Sequence, residues 1–366
     1  MNPEPTDPRT ANRHGTGDPS VVLPAIGERD LPPCRHQFHK ERLMNRIHED
    51  RRAAAPRASR DPFLRKAVLL PAATALAGAL AVGVLVLAPG GTPATGDDRA
   101  TGPALTTTVG AVDAHGAPRL LDRISLAAAG TEAPRPRAGQ YVYIETLSAS
   151  TYVKTVDDVS TLVGEPLHTR QSWRSPDGRK GRLIEPGNTG PEGITLEGTD
   201  ERGNVPEPHL GAPSHDYLAT LPTDPDELLR KIYEETEGQG NGRDQQAFTT
   251  IGDLLTESWP TPGLTAALYR AAAKIPGVVT VDGATDAAGR KGVAVARLDE
   301  FSGQRTEWIF DSGTLTFLGE RTVQVVGSDG EDGLIKPGTV VFTHAIMVRA
   351  FVDEIGATPS ATGLPG

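Results

Sequence analysis

The rhythm of apolar and polar positions divides this chain into stretches of different kinds. Residues 1–27 have no periodicity and are rich in Pro, Gly, Asn, Asp and Arg, which predicts a disordered tail. In the following "ERDLPPCRHQFHKERLMNRIHEDRR", Phe38, Leu43, Met44 and Ile47 make a partial apolar stripe among basic residues. That stripe predicts a short helix after Pro33. From Ala67 to Ala88, 22 residues run without a charge, and Thr74 is their one polar side chain. A helix needs roughly 20 residues to cross a hydrocarbon core of about 30 Å, so the run predicts a transmembrane helix. Pro71 falls near its start, where a missing N–H costs least. A cleaved signal peptide has a shorter apolar core at the very N-terminus. Residues 89–110 read as a flexible polar tether.

Beyond the tether the periods of a folded domain appear. "PRLLDRISLAAAG" (118–130) predicts a helix with Leu120, Leu121, Ile124 and Leu126 on its buried side. "QYVYIETL" (140–147) is β-branched and aromatic, as strands are. A hairpin is expected around "SPDG", with Pro176 presetting φ and Gly178 free to take positive φ. The Gly/Pro-rich stretch 185–215 reads as a loop. Asp224, Pro225 and Glu227 supply an N-cap, a first helical residue and an N3 acid for a helix up to about 236. Two more helices are expected in "QQAFTTIGDLLTES" and "GLTAALYRAAAKI". Four strand-rich stretches follow, with turns expected at Asp282-Gly283, at Asp311-Ser312-Gly313 and in "GSDGEDGLIKPG". This order predicts an α+β domain: an antiparallel meander with one face packed on two to four helices.

Charge sharpens the division. The net charge is −10, but basic residues exceed acidic ones by four up to Leu87, and acidic residues exceed basic ones by 14 after it. An acidic main domain argues against nucleic-acid binding. Arg51, Arg52, Arg57, Arg60, Arg65 and Lys66 precede the apolar run, whereas Asp97 and Asp98 follow it. Positive flanks stay inside, so the N-terminus is expected in the cytoplasm and the large domain outside. The helix bearing Phe38, Leu43, Met44 and Ile47 then has two readings. It lies on the inner membrane surface, or it docks a cytoplasmic partner. Cys34 is the one cysteine, which excludes an intrachain disulfide. With only His36 and His39 nearby it falls short of a zinc ligand set.

Chemistry is sparse. The chain has no G-x-S-x-G, Walker A run, dinucleotide fingerprint, H-E-x-x-H or C-x-x-C. No cofactor, metal or catalytic residue is therefore assigned. His209 and His215 are close in sequence beside Asp216, but they read as solvated loop histidines without a second shell. "TDPDE" is explained by helix capping, and "SDGEDG" lacks the ligand spacing of a calcium loop. Tyr141, Tyr143, Trp173, Trp308 and Phe310 fall in strand candidates. They line either the buried core face or a cavity for a lipid or acyl chain.

Together "ERDLPPCRHQFHKERLM", "LLDRISLAAAG", "GQYVYIET", "RQSWRSPDGRKG", "LPTDPDELLRKIY", "FTTIGDLLTES", "ALYRAAAKIPGVVTV", "GRKGVAVAR" and "RTEWIFDSGTLTFLGERTV" resemble a family of actinobacterial single-pass membrane proteins. The resemblance covers residues 28 to about 354, and where members carry Gly this chain has Cys34. The family has no assigned enzymatic activity. Its genes often lie near those of extracytoplasmic-function sigma factors, which implies a regulatory role in envelope stress. The domain pattern is also similar to the half-barrel of lipoprotein carriers and periplasmic sigma-factor regulators, in which an antiparallel sheet wraps helices around an apolar concavity. Fold alone does not give function.

The resulting expectation is a disordered cytoplasmic tail (1–27), a basic juxtamembrane region with a short helix (28–66) and a transmembrane helix (67–88). A tether (89–110), an extracytoplasmic α+β domain (111–354) and a disordered C-terminus (355–366) follow. The expected role is a membrane-anchored, non-enzymatic sensor or regulatory binding protein. It meets an envelope lipid, lipoprotein or other partner outside, and a cytoplasmic regulator such as a sigma factor inside. The alternative is a carrier or chaperone for lipidated envelope components. An enzyme assembled from scattered residues is the third reading, and a cleft without convergent polar groups would count against it.

Overall fold

The computed structural model describes residues 104–359, except 133–134, 157–158, 198–204, 206 and 328–332. The expected transmembrane helix, its flanking Arg57, Arg60, Arg65 and Lys66, and the stripe of Phe38, Leu43, Met44 and Ile47 all lie outside the described residues. Among the described residues no helix is long and apolar enough to cross a membrane.

The chain begins with a short strand β1 (Val112–Asp113) and helix α1 (Ala117–Ala129). Strands β2 (Tyr141–Val156), β3 (Val159–Gly164), β4 (His168–Arg174), β5 (Lys180–Ile184) and β6 (Ile194–Glu197) follow. The helices α2 (His215–Leu218), α3 (Pro225–Glu235), α4 (Arg243–Thr256) and α5 (Pro262–Ala272) come next. A meander closes the domain: β7 (Val278–Thr285), β8 (Lys291–Asp299), β9 (Gln304–Asp311), β10 (Phe317–Gln324) and β11 (Val340–Val352). All strands belong to one antiparallel sheet in the order β1-β7-β8-β9-β10-β11-β2-β4-β5-β6, with β3 paired to β2 alone. The sheet is open, and the fold is α+β. The pairing of β11 with β2 joins the two ends of the domain, from Val352 opposite Tyr141 to Phe342 opposite Ser150.

Local chemistry explains the elements. Asp224 caps α3 by accepting from the N–H groups of Asp226 and Glu227, both at 3.0 Å, with Pro225 at the first position. Gly178 takes φ 76° in the β4–β5 turn and its N–H bonds Ser175 O at 2.8 Å. Asp311 closes the β9–β10 turn by accepting from Gly313 N and Thr314 N.

The two faces of the sheet are filled differently. On the helical face Val295, Trp308 and Phe310 pack with Phe248, Ile251, Leu254, Leu268 and Tyr269. Phe248 of α4 stacks flat on Trp308 with ring centroids 3.9 Å apart. Gly252, one turn on, permits that approach: a Cβ there would sit 2.6 Å from Trp308 Nε1. The outer face is covered by the segments that precede β1 and follow β11. Over β7–β10, Arg305 and Arg321 both clasp the buried Glu307 at 2.8 Å, and also donate to Gly110 O and Thr107 Oγ1. Over β2 and β4, residues Ile355 and Ala357 cover Tyr143, Trp173 and Val352.

Several expectations change. Leu126 is 62% exposed, because on a 3.6-residue period it lies away from Leu121 and Ile124; Ser125 takes the buried place. Asp282-Gly283 is a bulge inside β7, marked by a register shift between Val281 and Ala284, and the hairpin turn falls after Asp286. The stretch 185–215 contains the edge strand β6. Residues 105–107, expected in the tether, bond to Gly338 and Val340 and form a bridge at Thr106 and Thr339. Residues 355–357, expected in the disordered C-terminus, are packed against the outer face.

Candidate functional site

A single row of paired residues crosses the helical face: Val295, Trp308, Glu320, His344, Ser148 and His168, on β8, β9, β10, β11, β2 and β4. The row turns from apolar to polar halfway. The helices fill the β7–β10 half. The β11–β2–β4–β5 half receives instead the segment that leaves α4. Thr261, Pro262 and the N-cap bond from Leu264 N to Thr261 Oγ1 start α5 immediately afterwards. Glu257, Ser258 and Trp259 are thereby held between the two helices and over the sheet.

Here charged groups converge. Arg170 reaches Glu257 at 3.0 Å and Glu185 at 3.7 Å, and His168 Nε2 lies 3.1 Å from Glu185. Ser148 Oγ lies 3.2 Å from His344 Nδ1, and the Nε2 of His344 is buried without a hydrogen-bond partner. Burial alone would push the Glu185 carboxyl up, but His168, Arg170 and Asn188 outweigh it and hold it below the usual range. Glu257 behaves likewise: burial raises it, and Arg170, His344 and Arg174 more than reverse that. Burial lowers His168, yet its bonds with Glu185 and Pro166 O leave it raised. Burial brings His344 down to about 4, with Glu257 opposing and Arg170 and Arg349 adding to the shift. Arg349 donates to Leu255 O, and burial lowers it to about 10.

Beside this network a cleft opens between β2, β4 and the loops before α2 and after α4. It is narrow, with free room on the order of one or two water molecules. Its walls include Val142, Ile144, Ser172, Arg174, Glu257 and Trp259, with His215 and Ser214 at one side. Trp259 stacks on Phe351, 4.9 Å between centroids, and His215 meets the same ring edge-on. The network can hold buried charge in balance and present hydrogen-bonding groups to the cleft. Ser148 and His344 are 4% and 2% exposed, so that pair offers no open face to a substrate.

The five aromatic candidates are all buried or half-buried but do not form one group. Trp308 and Phe310 belong to the helical core, while Tyr141, Tyr143 and Trp173 lie on the outer face, under the C-terminal segment. Trp173 Nε1 donates to Ala357 O at 2.7 Å, and Tyr143 donates to Glu145, whose acceptor bond and the surrounding burial raise the phenol. They form two core surfaces rather than one cavity. Of the loop histidines, His209 accepts from Gly211 N, but His215 is 17% exposed at the cleft wall rather than solvated. No cluster of three metal-ligating side chains occurs among the described residues. The residues missed by sequence reasoning are Ser148, His168, Arg170, Glu185, Glu257 and His344. The available signal was polar residues at inward positions of strands, where an apolar face is the rule.

These features define an α+β domain on an open antiparallel sheet, with a small cleft beside a buried polar network at one end of its helical layer. Comparison of the chain with protein-family models, with curated proteins and with solved structures returns no match.

Proposed function

We propose that the chain is a membrane-anchored, extracytoplasmic binding protein with a sensing or regulatory role. The sheet is of the half-barrel kind, residues 67–88 hold it to the membrane, and the basic segment before them meets a cytoplasmic regulator such as a sigma factor. The observation that carries the binding role is the convergence of Arg170, Glu185, Glu257, His168 and His344 beside a cleft walled by Trp259. Keeping so many ionisable groups inward is costly for a mere core. A ligand or partner that reads them accounts for their placement. The carrier reading fits less well, because the helical face between β7 and β10 is filled by Phe248, Leu254 and Tyr269 where an acyl chain would lie. The enzyme reading has convergent polar groups in its favour, but its best pair, Ser148 and His344, is closed off.

A photo-crosslinking residue at Pro213, in the full chain within its own membrane, tests this. The expected result is an adduct of defined mass that does not form from exposed Phe301. An acyl-lipid adduct would favour the carrier, and no adduct at all would overturn the binding role.

A further inference from the structure

We infer that Glu257 fills an oxyanion site as the domain's own stand-in, and that an external carboxylate or phosphoryl group takes its place; this rests on the binding role and names its ligand class. Four observations lead there. The first is the cations gathered at one carboxyl. Glu257 lies 3.0 Å from Arg170 Nη1, and the charges of Arg174 and His344 act on it as well. Arg349 of β11 feels it too: burial lowers that guanidinium, while Tyr269 and Glu257 oppose the shift.

The second is the balance of charge. Arg170, Arg174 and Arg349 are set against Glu165, Glu185 and Glu257, with His168 held by Glu185 and under the charge of Glu165. Arginines and acids match only while Glu257 is in place. Once it leaves, positive charge stands uncompensated in a poorly solvated place, and an incoming anion restores the balance.

Third, Glu257 is the member of the network best placed to leave. The arginines are fixed on strands, whereas Glu257 is the C-cap residue of α4, where the short segment toward α5 begins. Its side chain is 33% exposed, against 14% for Arg170 and 4% for Glu185. A carboxylate at a helix C-terminus also meets the negative end of the helix dipole, so the helix itself gives no reason for an acid there. Fourth, two buried nitrogens nearby, Arg349 Nε and His344 Nε2, have no hydrogen-bond partner. Such groups are costly to leave unmatched, and Glu257 leaves them so. The exchange needs little space. The free room beside Glu257 is on the order of one or two waters, and the departing carboxyl adds its own volume. A ligand therefore enters by its anionic tip.

The test is calorimetric titration of the full chain in detergent, at fixed ionic strength. Inorganic phosphate, sulfate and acetate are the probes, and chloride is the background anion. Glu257→Gln keeps the shape of the side chain and removes its charge. This variant should bind at least one oxyanion about tenfold tighter than the unaltered chain, and adding Arg170→Gln should abolish the gain. Binding of acetate alone marks a carboxylate ligand, and binding of phosphate or sulfate a phosphoryl one. Equal affinity with and without Glu257→Gln overturns the inference, as does a gain that survives Arg170→Gln. A second measurement leaves Glu257 intact. In a Cys34→Ser background, Ser258→Cys puts a thiol beside Glu257 at a position 9% exposed. Excess oxyanion should speed its labelling as Glu257 gives way. Labelling that the oxyanion leaves unchanged or slows overturns the inference, even where Glu257→Gln does not fold. Failure of the binding role itself would show separately, as no adduct from residue 213.

Discussion

His344 should make the domain acid-sensitive well above the range where carboxylates titrate. Its imidazole is 2% exposed on β11 and its pKa is lowered to about 4 by burial, against 6.5 for an ordinary histidine. At pH 7.5 it is neutral in both folded and unfolded states and contributes no pH dependence. As pH falls through 6.5 the unfolded chain takes up a proton that the folded chain refuses until about 4, so stability is lost over that window. The full difference corresponds to about 3 kcal/mol at roughly 1.4 kcal/mol per pH unit, of which about 2 kcal/mol is lost by pH 5. His168 works the other way. Its raised pKa gives stability that is present at low pH and fades as pH rises through the folded value. Glu185 and Glu257, both lowered, lose their contribution only at more acid pH, as pH falls through their folded values. The wild-type curve is thus a net of several groups, and the difference from His344→Asn isolates one. Urea unfolding at pH 7.5 and 5.0 should show wild type losing about 2 kcal/mol more than the variant. Imidazole carbon shifts in the wild type provide a second reading, with one histidine unprotonated down to pH 5. Equal losses in both proteins, or all histidines titrating near 6.5, would refute the argument.

Two further outcomes test the packing. Gly252→Ala replaces a poor helix former by the best one, worth about 1 kcal/mol in favour. The new Cβ meets Trp308 Nε1 at 2.6 Å, so the net should instead be about 1–3 kcal/mol of destabilisation in urea melts; a gain in stability would disprove the close approach. Removing residues 355–366 uncovers Trp173 and deletes its bond to Ala357 O, which should shift tryptophan emission to the red and cost about 1–2 kcal/mol. An unchanged emission spectrum would show that the segment does not cover the ring.

Helix α3 was readable because Asp224-Pro225 is a local start device, and α5 carries a like one in Thr261-Pro262. The meander was readable too, since each of its strands finds its partner a few residues away. The site was not. His168 and His344 are 176 positions apart in sequence, and they share a row only because β11 closes onto β2 and β2 onto β4. No local period announces that register, and a bulge between Ile346 and Val348 shifts it further. The aromatic grouping failed for the same reason. Alternation shows that Tyr141 and Tyr143 share a face, as do Trp308 and Phe310, but whether both pairs share one face depends on register across the four strands β9, β10, β11 and β2.

Thr107 and Gly338 hold the incoming chain at the start of β11, while Phe351 and Trp259 mark the cleft near its end. The strand rises by about 3.4 Å per residue, so the attachment and the cleft stand roughly 35 Å apart. A pull transmitted along the chain from residue 104 would load the short run of bonds to Gly338 and Val340 first, at the far end of a stiff sheet. If the preceding residues tether the domain as proposed, the cleft is mechanically shielded from that tether and stands at the far end of the sheet from it.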